Sequence, residues 1–188
     1  MWRRVGLMAL SALVAAGCSS PPSKEHDQAV AALTAARAAE AATYAPEELA
    51  AAQSSLDKYD QAVEQRDYRQ ALSDAIDARD RGFEAARLAA TAKSDARAQL
   101  QTLMADTDAL LRNANSRLAA TAGPRLNTAA ADRLRTAARA ANTALQETRT
   151  AFDAQRYREG LAHLRSASDE LKKAMPASDG GRRGRGTR

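Results

Sequence analysis

Residues 46–72 read PEELAAAQSSLDKYDQAVEQRDYRQAL, and the pattern in this stretch sets the fold class. Pro46 suits a first helical turn, where a backbone N–H would have no intrahelical acceptor, and Glu47 and Glu48 favour the positive end of the helix dipole. Leu49, Ala52, Leu56, Tyr59 and Val63 then recur at alternating spacings of three and four, which puts them on one helix face. At Arg66-Asp67-Tyr68 the stripe loses phase, and Asp67 is of the residue type that caps a new helix. The stretch reads as helix, tight turn, helix: an α-hairpin.

Working outward from it, residues 19–23 form a short Pro/Ser linker and a first helix is expected from about Lys24 to Thr43, carrying Val30 and Leu33. Ala45 is pushed out of the helical region because it precedes proline. On the other side, the helix opened by Asp67 carries Leu72, Ile76, Phe83, Ala86, Ala90, Leu100, Met104, Leu111, Ala114 and Leu118 as its expected core stripe, interrupted by Arg79, Lys93, Arg97 and Thr107. Unbroken to Thr121 it would be about 80 Å long at 1.5 Å per residue, with Gly82 and Asn113–Ser116 as the expected bends. Gly123-Pro124 is a stop and restart signal. A fourth helix continues to about Asp153, with Ala130, Leu134, Ala137, Ala141, Leu145 and Phe152 inward. A fifth presents Tyr157, Leu161, Leu164, Leu171 and Met175. Pro176 ends it, and the tail ASDGGRRGRGTR offers nothing that packs, so disorder is expected there. The fold class is therefore all-α: an elongated antiparallel helical-hairpin bundle of about five helices, with a disordered N-terminal tether and C-terminal tail. The expected divisions are a hairpin region over residues 24–122, a second hairpin over 123–175 and a basic tail over 176–188.

Composition agrees. Charged residues make up 27% and aromatics only 4%, and the abundant Ala, Leu, Arg, Gln and Glu are the strongest helix formers. A core of Ala and Leu buries little area per residue, so stability must come from helices packed closely along their length. The net charge of +5 is unevenly placed. Arg3 and Arg4 supply two of it and the last thirteen residues three, so the span from Cys18 to Met175 is neutral. A neutral body is a poor electrostatic footprint for nucleic acid, and no nucleic-acid partner is expected.

The sequence also echoes itself. Val63-Glu64-Gln65-Arg66-Asp67-Tyr68-Arg69-Gln70-Ala71-Leu72 returns 89 residues later as Phe152-Asp153-Ala154-Gln155-Arg156-Tyr157-Arg158-Glu159-Gly160-Leu161, and Leu56 maps to Leu145. Duplication would produce this echo, and so would the shared demands of a short α-hairpin turn.

Residues 1–20, MWRRVGLMALSALVAAGCSS, carry a different signal. Arg3 and Arg4 form a positive n-region, and Val5–Ala16 form an apolar stretch too short to span a bilayer but suited to a signal-peptide h-region. Small residues lead to the chain's only cysteine as Ala15-Ala16-Gly17-Cys18, which excludes an internal disulfide. The run resembles the lipobox of bacterial lipoproteins. That resemblance implies a leader over residues 1–17, lipid on Cys18 as the membrane anchor, and sorting to the outer membrane through Ser19 rather than Asp in a Gram-negative source.

A second resemblance lies in the body. An Ala-rich helix, Tyr44-Ala45-Pro46-Glu47-Glu48-Leu49, a further helix, Asp67-Tyr68 and Ala71-Leu72 together resemble the bacterial family catalogued as domain of unknown function 4398, over roughly residues 24–95. Membership implies an envelope location and a helical-hairpin fold. It implies no activity. Asp67–Leu72 also resembles one turn of a tetratricopeptide repeat, without that repeat's 34-residue period.

Little in the chain suggests catalysis. His26 and His163 lie in different helical segments with no partner ligand at metal spacing, and Glu25-His26-Asp27 are adjacent residues that point in different directions on a helix. Phosphate loops, nucleophile elbows and Cys/His clusters are missing from the sequence, so no catalytic residue, metal or cofactor is expected. Asp57, Asp60, Glu64, Asp67, Asp74, Asp77 and Asp80, interleaved with Arg66, Arg69, Arg79 and Arg81, read as solvated helix faces with i,i+4 pairs. Tyr44, Tyr59, Tyr68 and Tyr157 read as core and turn residues rather than a glycan-binding groove. The expected role is a membrane-anchored periplasmic scaffold or protein-binding module, with an envelope protein or a second copy as partner. The alternatives are a spacer lying non-covalently near peptidoglycan, or an envelope hydrolase.

Overall fold

The computed structural model describes residues 20–120 and 128–175, and those residues form helices joined by short turns, with no strand among them. The helices are α1 (Ser23–Ala38), α2 (Ala41–Tyr44), α3 (Pro46–Glu64), α4 (Tyr68–Ala120), α5 (Thr128–Asp153) and α6 (Tyr157–Ala174). The all-α expectation is met. No helix among the described residues is long and apolar enough to cross a membrane. The Gly123-Pro124 stop and the tail beyond Met175 lie outside the described residues.

The chain divides into two compact units, one up to Ala92 and one from Lys93. The sequence reading put the division at Gly123; the structure puts it inside α4. The reason is that α4 is 53 residues long and helical through both Gly82 and Asn113–Ser116. Its first part packs with α1 and α3, and its second part with α5 and α6.

In the first unit the expected helix over residues 24–43 is broken. Glu40 adopts a left-handed conformation (φ 62°), its N–H donating to the Arg37 carbonyl at 2.9 Å, and a single turn, α2, follows. A non-glycine residue in this region is strained, and packing compensates, since the turn buries Ala41, Tyr44 and Ala45. The sequence lacks the glycine that would announce such a corner. Pro46 then opens α3 as expected. α3 returns alongside α1, with Arg37 donating to Gln53 at 2.7 Å, and α4 returns alongside α3. Asp67 is the cap of α4, its carboxylate accepting from the Gln70 N–H at 3.0 Å.

The core of this unit differs from the expected stripe. α4 buries Ala71, Ala75, Ala78, Gly82, Ala85 and Ala89, while Leu72, Ile76 and Phe83 remain 39%, 37% and 54% exposed. Ala90 is likewise exposed. On α3, Ala52, Ser55, Tyr59 and Ala62 are buried, with Leu49, Leu56 and Val63 only half-buried. The cause is close approach: a Cβ on Gly82 would meet the Ala32 Cβ at 2.9 Å and the Ala32 backbone at 3.0 Å. Helices this near leave room only for small side chains between them. Gly82 marks this contact.

The second unit follows the expected stripes more closely. Leu111, Ala114, Leu134, Ala141, Leu145, Leu164 and Leu171 share one core, with Leu103, Met104, Leu118 and Met175 against its margin. α6 lies close on α4 at Gly160, where a Cβ would meet the Leu100 Cδ2 at 2.8 Å. Thr148 and Ser168 are buried with hydroxyls that find no partner among the described residues.

The two echoed segments form the same turn. Arg66 (φ 60°) donates to the Val63 carbonyl at 2.9 Å, and Asp67 to Ala62 at 2.9 Å. Gln155 (φ 59°) donates to Phe152 at 3.0 Å, and Arg156 to Ala151 at 2.8 Å. Both are Schellman closures with a non-glycine residue at the left-handed position. The likeness extends to burial, since Ala62 and Ala71 are buried like Ala151 and Gly160.

Replacing the fully buried Leu164 by Ala should cost on the order of 2–5 kcal/mol, whereas Leu72→Ala should move the thermal midpoint little. Equal losses in the two variants, read by chemical denaturation of the full chain, would contradict the inverted core of α4. Thr148→Val keeps the shape and removes an orphaned hydroxyl, so it should stabilise the second unit by about 1 kcal/mol.

Candidate functional site: an unburied apolar face on α4

Cys18 and Ser19, the residues expected to carry lipidation and sorting, lie outside the described residues. Of the other residues singled out from sequence, those among the described residues mostly take part in packing. Tyr44 and Tyr59 are buried in the first unit and Tyr157 in the second. Tyr59 stacks on His26, ring centroids 4.8 Å apart and planes 29° from parallel. Burial, followed by the carboxylates of Asp60, Asp27 and Glu25, holds the Tyr59 phenol above its ordinary pKa. Tyr157 packs against Phe152 at 5.3 Å, and the Arg97 guanidinium sits 5.8 Å from the Phe152 ring centroid, a cation–π contact. Tyr44 and Tyr59 are thus packing residues of the first unit and Tyr157 of the second.

Of Glu25, His26 and Asp27, the structure pairs the last two, the Asp27 carboxylate lying 3.5 Å from the His26 Nδ1, while the His26 ring stacks on Tyr59. Among the described residues no three His, Cys, Asp or Glu side chains are placed to hold a metal ion. The acids pair along the helices instead, as in Arg81–Asp77 at 2.8 Å and Arg87–Glu84 at 2.6 Å. Asp77 has a cross-helix partner as well, accepting from the Ser55 hydroxyl at 2.5 Å. That hydrogen bond is the main reason its carboxyl lies below the usual range; burial opposes it, and the Arg81 and Lys58 charges reinforce it.

What remains largely outside the packing is a stripe on α4, in which only Arg79 reaches another helix, donating to Gln28 at 3.3 Å. Arg69, Leu72, Ile76, Arg79, Phe83, Arg87 and Ala90 follow one another at spacings of three and four, and at 100° per residue they fit an arc of about 80°. The buried row from Ala71 to Ala89 lies about 120° round the helix. The stripe holds no acid, although Asp80 and Glu84 at its edge pair with Arg79 and Arg87. It thus presents three large apolar side chains framed by three guanidinium groups. The sequence contained the signal, for the same Leu and Phe spacing was assigned to the core.

Comparison with known protein families, with curated proteins and with solved structures finds no match for this chain.

The Ser55–Asp77 bond makes a local prediction. Ser55→Ala should raise the Asp77 pKa toward the ordinary carboxylate value, as read by NMR titration of its side-chain carbonyl. A carboxyl whose folded pKa is depressed stabilises the fold above its unfolded pKa and loses that contribution as pH falls through the folded value. The variant should therefore lose its Asp77-dependent stability at a higher pH than the parent; superposable acid-denaturation curves would refute this.

Proposed function

We propose that this chain is a lipid-anchored protein of the bacterial outer membrane whose helical body serves as a protein-binding scaffold in the periplasm, acting by contact and not by catalysis. The observation that carries the reading is the leader-like run that ends at the chain's only cysteine, Cys18, five residues ahead of the first helical residue, Ser23. A diacylglyceryl group with further acyl chains holds a protein durably on a membrane, because each buried CH₂ contributes about 0.8 kcal/mol. Ser19 in place of Asp is permissive for the outer membrane.

The helical body supports the scaffold part of this reading. Its helices bury alanine faces against one another and keep apolar side chains available on α4. The resemblance to the envelope family with the YAPEEL and DY segments points the same way. Its quoted residues have definite structural roles: Tyr44 and Ala45 are buried at the corner, Pro46 opens α3, and Asp67 caps α4. The family resemblance remains part of the proposal. No cofactor enters it.

Cells grown with an alkyne fatty acid should label the wild-type chain and leave Cys18→Ser unlabelled; equal labelling of both would remove the anchor and with it the proposal. In density-gradient fractions the wild type should travel with outer-membrane markers, and Ser19→Asp should travel with the inner membrane in an enterobacterium-like host.

A further inference from the structure

The stripe on α4 and the start of α1 share one end of the first unit. Arg79 donates to Gln28 at 3.3 Å, and Gly82 lies against Ala32. Both pairs advance in the same direction, so α1 and α4 run parallel at an offset of about fifty residues. Ser23 is therefore level with Leu72 and Ser73, where the apolar part of the stripe begins. From there Phe83 is only about 15 Å along the helix axis. The five steps of chain from Cys18 to Ser23 extend at most about 18 Å. A membrane anchor on Cys18 would hold this end of the unit within one short tether of the lipid headgroups.

The chemistry of the stripe matches such a surface. Leu72, Ile76 and Phe83 are exposed and apolar, while Arg69 and Arg87 are exposed and basic on the same arc. Interfacial helices have this make-up: apolar side chains enter the acyl boundary, and arginine stems lie along it while their guanidinium groups reach phosphate. A second copy fits less well, because an identical stripe would oppose arginine to arginine.

We propose that the Leu72–Ile76–Phe83 stripe of α4 is a lipid-facing surface, which lays the first unit against the anionic headgroups of the membrane to which Cys18 tethers it. The inference rests on the anchor reading above. It makes the first unit a membrane-lying platform instead of a body swinging freely on its tether.

Tryptophan fluorescence tests it in the full, lipidated chain. In a Trp2→Phe background, Phe83→Trp places one indole on the stripe, and in a separate chain Ser54→Trp places one at an exposed position of α3. The vesicles are phosphatidylethanolamine and phosphatidylglycerol with brominated acyl chains. In them the emission of the Phe83→Trp chain should fall about twofold relative to unbrominated vesicles, and that of the Ser54→Trp chain should not change. Adding Leu72→Ser, Ile76→Ser and Arg69→Glu together to the Phe83→Trp chain should abolish the quenching with helical circular dichroism retained. If the Phe83→Trp chain is quenched no more than the Ser54→Trp chain, the inference is overturned, whether the indole stays in water or is shielded within a crosslinked dimer of the chain. The mass of the N-terminal peptide separates the two claims. Diacylglyceryl on Cys18 with an unquenched indole at position 83 overturns only the lipid-facing stripe, while unmodified Cys18 overturns the anchor as well.

Discussion

The close approach of α1 to α4 at Gly82 governs the arrangement of the first unit. A methyl group there would collide with Ala32, so the seam admits alanine, glycine and serine and excludes anything larger. Ala29, Ala32, Ala36, Ala75, Ala78 and Ala85 accordingly make its core, with Leu33, Tyr44 and Tyr59 as the large buried side chains. Each alanine removes little apolar area from water, and the compensation is dispersion between helices held close over several turns. Leucine and phenylalanine on α4 are then left outside by geometry, since the seam has no room for them.

The second unit solves the same problem with larger residues. Leu100, Leu145, Leu164 and Leu171 are fully buried there, and the close contact at Gly160 accommodates the side chain of Leu100 instead of a neighbouring backbone. This core can carry two orphaned hydroxyls, Thr148 and Ser168, which cost stability but occupy methyl-sized spaces. One helix, α4, serves both units, small-faced in its first part and leucine-faced in its second. The two α-hairpin turns are alike in backbone, yet only the first has a side-chain cap, because Asp67 is matched by Arg156 in the second.

This division of character connects to the proposed role. A unit with an alanine seam can keep its larger apolar groups for an external surface without losing its own packing. Under the anchor proposal, Cys18 precedes α1 by one short tether, so the end of the first unit that carries the start of α1 would be the first part of the body to meet a membrane.

The sequence by itself determined the helical class, the Pro46 start, the Asp67 cap and the 89-residue echo of the turn, because these depend on local chemistry: proline geometry, a carboxylate within reach of free N–H groups, and periodic spacing. It also determined the stripes of α5 and α6, where Leu134, Leu145, Leu161, Leu164 and Leu171 mark one face each and no competing arc carries large apolar residues. The tertiary structure alone decided which face of α4 is buried. With alanine on almost every side, two arcs of that helix satisfy the same spacing, and hydrophobicity favours Leu72, Ile76 and Phe83, whereas interhelical distance favours Ala71, Ala75 and Gly82. The corner at Glu40 was invisible for a related reason, as its left-handed residue is held by the burial of Tyr44 and Ala45 and not by any glycine. The division inside α4 was equally hidden, for a continuous helix has no breaker to mark where its partners change.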